Sequence, residues 1–239
     1  LIKKLLISFS LFTLIFVAGS KRANAPKRNI RVDSVPLYNQ YPELPTGCEA
    51  TSLAMLLSWG LERPVSKFGV ADALSKGPKV HKTDKGWRGA HPNKAFVGDP
   101  YTDSEDGSYG VFEKPILDTL ETFSPETGVN LTGRPFHTIL DTVRSGMPVL
   151  VWTTLEQRAS YYGLSWSDNE GDVIDWYENE HAVVLVGIED DAVVAHDPHT
   201  GQAERYNREL FERNWRAMGC RAVTLELNKN LKAKALGGQ

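Results

Sequence analysis

Two runs of β-branched residues separated by three acidic ones limit what this chain can fold into. His181-Ala-Val-Val-Leu-Val-Gly-Ile188 and Ala192-Val-Val-Ala-His196 flank Glu189-Asp-Asp191. Apolar runs of this kind on either side of a short polar turn predict an antiparallel β-hairpin. A turn centred on Asp190 makes His181 face a residue near His199, with Asp197 one diagonal away. The side chains of His181 and Asp197 then share a face at one end of the hairpin, and diagonal neighbours lie ~7–8 Å apart at Cα. A one-residue slip would put them on opposite faces. Pro148-Val-Leu-Val-Trp152 reads as another buried strand, and Ala222 to Leu227 as a closing one.

The first half contains a helix with a cysteine at its start. In Leu44-Pro-Thr-Gly-Cys-Glu-Ala-Thr-Ser-Leu-Ala-Met-Leu-Leu-Ser-Trp-Gly60, Thr46 and Glu49 have capping-box spacing, which predicts a helix over 46–59 with Cys48 at its second position. Leu53, Leu56, Leu57 and Gly60 recur at helical spacing, and Gly60 suits the residue just past the end. Backbone N–H groups there lack intrahelical acceptors and favour a thiolate. An imidazole near a cysteine draws off its proton, and a carboxylate beside the imidazole fixes its tautomer. Cys48, His181 and Asp197 therefore fit the roles of nucleophile, general base and orienting group. His196 alternates to the other face, and His199 follows Pro198. His81, His91 and His137 have no carboxylate that the pattern pairs with them.

The rest of the chain bounds the class. Lys3 and Lys4, the apolar run Leu5 to Ala18 and Ala23-Asn-Ala25 match a cleaved secretory signal over 1–25. The run is shorter than the ~20 residues of a spanning helix. Residues 26–239 then form one domain, with its core at about 34–228, and Pro26 to Asp33 reads as a disordered lead-in. Removal of the signal takes away four cations and no acid, moving the formal charge from −3 to −7. No basic stripe suggests nucleic acid, and the membrane is met only through the signal segment if it stays uncleaved. Two cysteines make no disulfide framework. Either Cys48 is a free thiol and Cys220 a buried inert one, or the two form a bridge.

A second, weaker helix is expected from Pro64-Val65 to about Leu74, and others over Pro115 to Phe123, Phe136 to Ser145 and Glu209 to Met218. Lys76 to Gly110 shows no period, and its glycines and prolines predict a long loop. Asp99, Asp103, Glu105 and Asp106 do not have calcium-loop spacing. The aromatic stretch 156–180 predicts a loop or irregular hairpin. No Cys/His spacing matches a zinc site, no Gly-rich loop follows a strand and G-x-S-x-G is absent, so no metal or cofactor is expected.

Val35-Pro-Leu-Tyr-Asn-Gln-Tyr-Pro-Glu-Leu-Pro-Thr-Gly-Cys-Glu-Ala-Thr-Ser-Leu-Ala-Met-Leu-Leu57 resembles the nucleophile motif of the bacteriocin-processing cysteine peptidase-like (C39-like) family. Asn93–Pro100, Gly146–Trp152, Glu180–Gly187 and His196-Asp-Pro198 resemble its later blocks in the same order. The resemblance spans about 34–227. It implies an α+β, papain-like fold, with the nucleophile helix packed on an antiparallel sheet. It also implies Cys48, His181 and Asp197 as the triad, and Gln40 as oxyanion donor beside the Cys48 N–H. Transporter-borne members carry Asp-Cys-Gly where this chain has Gly-Cys-Glu. The expected activity is a secreted or cell-surface thiol hydrolase cleaving a peptide or amide bond in a peptide or protein, which could be associated with the cell envelope. Acyl transfer on the same triad and a non-catalytic surface module stay open.

Overall fold

The computed structural model describes residues 29–226. The expected signal over 1–25 and the end of the closing strand at Leu227 lie outside the described residues. In chain order the elements are β1 (Ile30–Arg31), α1 (Cys48–Gly60), α2 (Lys67–Ala73), β2 (Lys76–Gly77), β3 (His81–Thr83), β4 (Gly86–Arg88), β5 (Phe96–Val97), α3 (Glu113–Phe123), β6 (Gly128–Asn130), α4 (Phe136–Arg144), β7 (Val149–Thr154), β8 (Tyr162–Ser167), β9 (Val173–Tyr177), β10 (Glu180–Ile188), β11 (Ala192–Asp197), β12 (Gln202–Asn207), α5 (Arg208–Ala217) and β13 (Ala222–Leu225).

The principal sheet runs β12-β11-β10-β7-β13-β6, with β1 also paired to β10, and its pairings are antiparallel. Successive side chains of a strand point to opposite faces, and this sheet is covered on both. Leu150, Trp152, Ala182 and Val223 pack with Leu53, Leu56 and Leu57 of α1. Val149, Val151, Val183 and Leu185 pack with Ile139 and Val143 of α4 and with Phe211 and Trp215 of α5. Burial on both faces explains why β7 and β10 read as continuous apolar runs. The architecture is α+β, as expected.

Helix α1 is the most enclosed of the described helices, with only Trp59 of its 13 residues outside the buried set. Its small residues let neighbours come close on every side. Gly60 differs from expectation: it is the last helical residue, not the one past the end, and Leu61 caps the helix. Its need for glycine is packing, since a Cβ there would lie 2.4 Å from Leu225 Cδ1. We expect Gly60→Ala to cost about 1–3 kcal/mol, the usual range for overpacking a core, read as a lowered midpoint of chemical denaturation.

Several loop expectations give way to paired structure. The described part of the lead-in, from residue 29, is anchored, because β1 pairs Ile30 with Ile188 and Arg31 with Gly187. The 76–110 stretch is not structureless. Its short strands β3 and β4 join the β8–β9 hairpin in a second sheet ordered β3-β4-β8-β9, and β2 pairs with β5. Strands of two or three residues are too short to show a period, so this pairing left no pattern to read. Trp166 and Trp176 close over Val80, Val97 and Ile174 in a core of their own.

The hairpin reaches the expected register by a different route. Beyond the turn, Ile188 pairs with Val193 and Gly187 with Val194, so the turn centres between Asp190 and Asp191. Val186 is then the extra residue of a β-bulge, after which Leu185 pairs with Ala195 and Val184 with His196. Without that residue the register would remain one step off, and His181 and Asp197 would take opposite faces. The bulge is what brings them together.

Candidate active site

The cysteine helix does not use the expected capping box. Gly47 is the N-cap and contributes no side-chain cap, so Cys48 is the first helical residue, one position earlier than predicted. Thr46 Oγ1 donates instead to the carbonyls of Thr102 at 2.9 Å and Asp99 at 3.4 Å, tying down the loop. Glu49 turns inward, where its Oε1 accepts the Val111 N–H at 2.7 Å. Both side chains are taken by tertiary contacts that a local motif does not reveal. The N–H of Cys48 still has no intrahelical acceptor.

Cys48, Gln40, His181 and His199 line one cleft of about 190 Å³, together with Tyr41, Tyr109, Trp176, Glu178 and Glu180. A larger hollow of about 570 Å³ lies elsewhere, between Pro36, Trp59 and Pro64, but holds no cysteine or histidine. Cys48 and Cys220 are both free thiols, which removes the disulfide alternative for this structure. Cys220 is half-exposed rather than buried, with φ of 56°.

His181 is 3% exposed, and its Nε2 lies 2.7 Å from Asp197 Oδ1. The same Oδ1 accepts the His199 N–H at 2.8 Å, and Tyr206 donates its hydroxyl to Oδ2 at 2.6 Å. Burial tends to raise the Asp197 carboxyl, but His181, Tyr206 and the His199 amide outweigh it and hold it at about 2. Burial and the adjacent Asp197 carboxylate raise the Tyr206 hydroxyl, so it stays a donor. Asp197 is thus a fixed anion that orients the ring through Nε2, with Nδ1 outside that bond. His196 bonds the Pro36 carbonyl through Nδ1, and the His199 ring bonds the Tyr41 hydroxyl, so neither ring has the carboxylate contact that His181 has.

Two further groups surround the thiol. Cys48 Sγ donates to Glu49 Oε2 at 3.3 Å, not to His181. Cys48 Sγ and carboxylate oxygens of Glu49 and Glu180 lie within 4.8 Å of one another. Burial raises the Cys48 thiol well above its ordinary value, and Glu49 and Glu180 add to the effect. This opposes the expected helix-start stabilisation of a thiolate. Burial also lifts Glu49 to about 7, even with its Val111 bond. Above that value Glu49 becomes a like charge against a thiolate. With an uncharged substrate we expect Glu49→Gln, which keeps an acceptor for Val111, to exceed the wild type by up to about tenfold at pH 8–9, the effect of about one pKa unit on the thiol. A kcat/KM profile of both proteins checks this.

Gln40 is 3% exposed, and its Nε2 donates to the Leu44 carbonyl at 3.2 Å and the Pro45 carbonyl at 3.0 Å. It braces the turn into α1 in this state. Glu49, Glu180 and Tyr206 did not emerge from the sequence as site residues. Glu49 and Glu180 directly adjoin Cys48 and His181 in the chain, so adjacency was their signal. Tyr206 had none, because it comes from β12 through the pairing of Val193 with Tyr206.

Comparison with known proteins agrees with this architecture. The model of the Peptidase_C39 like family matches residues 32–223. The chain belongs to that family. It is 31% identical over 194 residues to the uncharacterized protein YvpB of Bacillus subtilis (strain 168), covering 80% of this chain and 74% of that protein. A crystal structure of a C39-like peptidase candidate from Bacillus anthracis superposes with a TM-score of 0.76 at 31% identity, over 84% of this chain and 98% of that one. The family's papain-like arrangement, a cysteine helix against an antiparallel sheet, is the arrangement of α1 on β10 and β7.

Proposed function

We propose that this chain is a thiol hydrolase that cleaves a peptide or amide bond through Cys48, His181 and Asp197. The observation that carries the reading is the buried 2.7 Å His181–Asp197 contact, on the cleft that also holds Cys48 at a helix start. In the reaction, Cys48 turns from Glu49 toward His181, whose Nδ1 takes the thiol proton. The sulfur attacks the carbonyl carbon, forming a C–S bond and an oxyanion. Collapse breaks the C–N bond, and His181 gives the proton to the departing amine. Water, losing a proton to the same ring, then hydrolyses the thioester and frees the acid. The proposed working place is outside the cytoplasm, a reading that rests on residues 1–25 alone.

The Cys48 N–H is one donor for the oxyanion. Gln40 supplies the second by exchanging its longer bond, to Leu44, for the developing charge. Removing such a donor typically costs 10²–10³ in kcat. We expect Gln40→Ala to lower kcat about 100-fold with little change in KM, and wild-type turnover would remove Gln40 from the site.

The direct test is mass spectrometry of the protein quenched during turnover of an activated acyl substrate. A covalent adduct confined to Cys48 supports the reading, and its absence together with absent turnover overturns it. Added amine that diverts the acyl group from water into amide would reassign the chain to acyl transfer.

A further inference from the structure

The cleft contains acceptors that lack donors. Glu180 Oε1 is fully enclosed and has no hydrogen-bond partner. Gln40 lines the same cleft, and its Oε1 is likewise enclosed and unpartnered. A buried carboxyl oxygen without a partner is costly, and burial with Glu49 beside it raises the Glu180 carboxyl well above its ordinary value, which a bound cation would counter. Arg221 acts on Glu180 electrostatically but makes no hydrogen bond to it. Arg221 lies 3.0 Å from Glu113 and stacks 3.6 Å over the Phe112 ring. No lysine or arginine is among the described residues that line the cleft, whereas Glu178 and Glu180 are.

Gly110 lets the acids and an aromatic ring pack closely at the edge of the cleft that Glu180 and Trp176 line. A Cβ on Gly110 would lie 2.4 Å from Glu49 Oε1, 3.1 Å from the Trp176 ring and 3.3 Å from Glu180 Oε2. Glycine there lets two carboxylates and an indole converge beside Cys48. Tyr109 packs against Trp176 with ring centroids 5.7 Å apart, and both rings line the cleft. Aromatic rings beside carboxylates suit an ammonium group, which attracts both. An ammonium also brings three N–H donors and no acceptor, which is what the unpartnered oxygens of the cleft lack.

We propose that Glu180, backed by Glu49, forms a subsite for an ammonium group of the substrate, either a lysine-type side chain or a free amino terminus, held directly beside Cys48. The assignment rests on the thiol-hydrolase reading and adds its substrate class. It also gives the acids a role in activation. A bound ammonium offsets the negative charge that opposes ionisation of Cys48, so the nucleophile is favoured when the right substrate is in place. Cationic substrates then gain in reaction rate as well as in binding.

Three fluoromethyl ketone probes test this on the wild-type protein: N-acetyl-lysyl (side-chain ammonium only), norleucyl with a free amine (α-ammonium only) and N-acetyl-norleucyl (neither). In each, the sulfur forms a C–S bond as C–F breaks, fluoride leaves and His181 takes the thiol proton. The readout is the second-order rate of Cys48 modification. A hydrogen-bonded charge pair is worth roughly 10- to 100-fold, so one cationic probe should exceed the neutral probe by that factor. Which of the two does so identifies the source of the ammonium. Glu180→Gln should bring that ratio to within about threefold of unity, while Glu178→Gln, on an exposed residue, should leave most of it.

Equal rates for all three probes, or a ratio unchanged in Glu180→Gln, would overturn the subsite and leave Cys48 as nucleophile. If no probe modifies Cys48, the hydrolase reading falls and takes the subsite with it. The wild-type ratio needs no variant, so it decides the matter even if Glu180→Gln misfolds.

Discussion

Replacing Cys48 with alanine should abolish turnover, by at least ~10⁴-fold, because the covalent route has no substitute atom at that position. The fold should survive. Cys48 opens α1 at its first helical position, makes no disulfide and donates its thiol to Glu49. Alanine is the best helix former, and Glu49 Oε1 keeps the Val111 N–H. We expect the stability change to stay within about 1–2 kcal/mol, the common range for a single substitution. Thiol alkylation supplies an independent check: Cys48→Ala should react only at Cys220, and Cys220→Ala only at Cys48. Residual turnover above about one-tenth in Cys48→Ala would exclude the thiol mechanism.

What the sequence revealed and what it hid follow from the range of the forces involved. The helix spacing of Leu53, Leu56 and Leu57 and the β-branched runs of β10 and β11 are local patterns, and the elements they predict are present. His181 and Asp197 could be paired because an antiparallel hairpin converts sequence position into distance. Even so, the turn alone gives the wrong register, and Val186 corrects it through a bulge that no residue type announces. Thr46 and Glu49 show the opposite failure. Their spacing is that of a local cap, yet partners 53 to 62 residues away take both side chains. The same limit hid the second sheet, where Arg88 pairs with Ser167 across a long separation. The acidity around Cys48 was visible as two glutamates next to two candidate catalytic positions, but only the packing of α1 on β10 shows them converging.

Asp197 separates two contributions that alanine and asparagine remove differently. Asp197→Ala deletes the acceptor for His181 Nε2, for the His199 amide and for the Tyr206 hydroxyl. The ring then loses its fixed tautomer and direction, and we expect kcat/KM to fall by roughly 10³–10⁴, the scale seen for an orienting acid elsewhere. Asp197→Asn keeps Oδ1 as an acceptor and loses only the charge, provided the Tyr206 hydroxyl rotates to accept from the new amide. Its loss should be smaller, about 10- to 100-fold, because papain-like sites also function with an amide orienting the histidine. The two variants also differ in acid stability. The folded carboxyl is held at about 2, below its ordinary value near 3.8, so its ionised contacts favour the native state above about pH 4. That contribution is lost as the pH falls from about 4 to about 2. Asparagine cannot titrate, so Asp197→Asn should show a shallower decline in unfolding free energy across that interval. Denaturant titrations of wild type and variant at pH 5, 4, 3 and 2.5 measure it. Parallel declines would mean that Asp197 is not the depressed carboxylate, and equal activity losses for alanine and asparagine would mean that charge, not orientation, is what His181 draws from it.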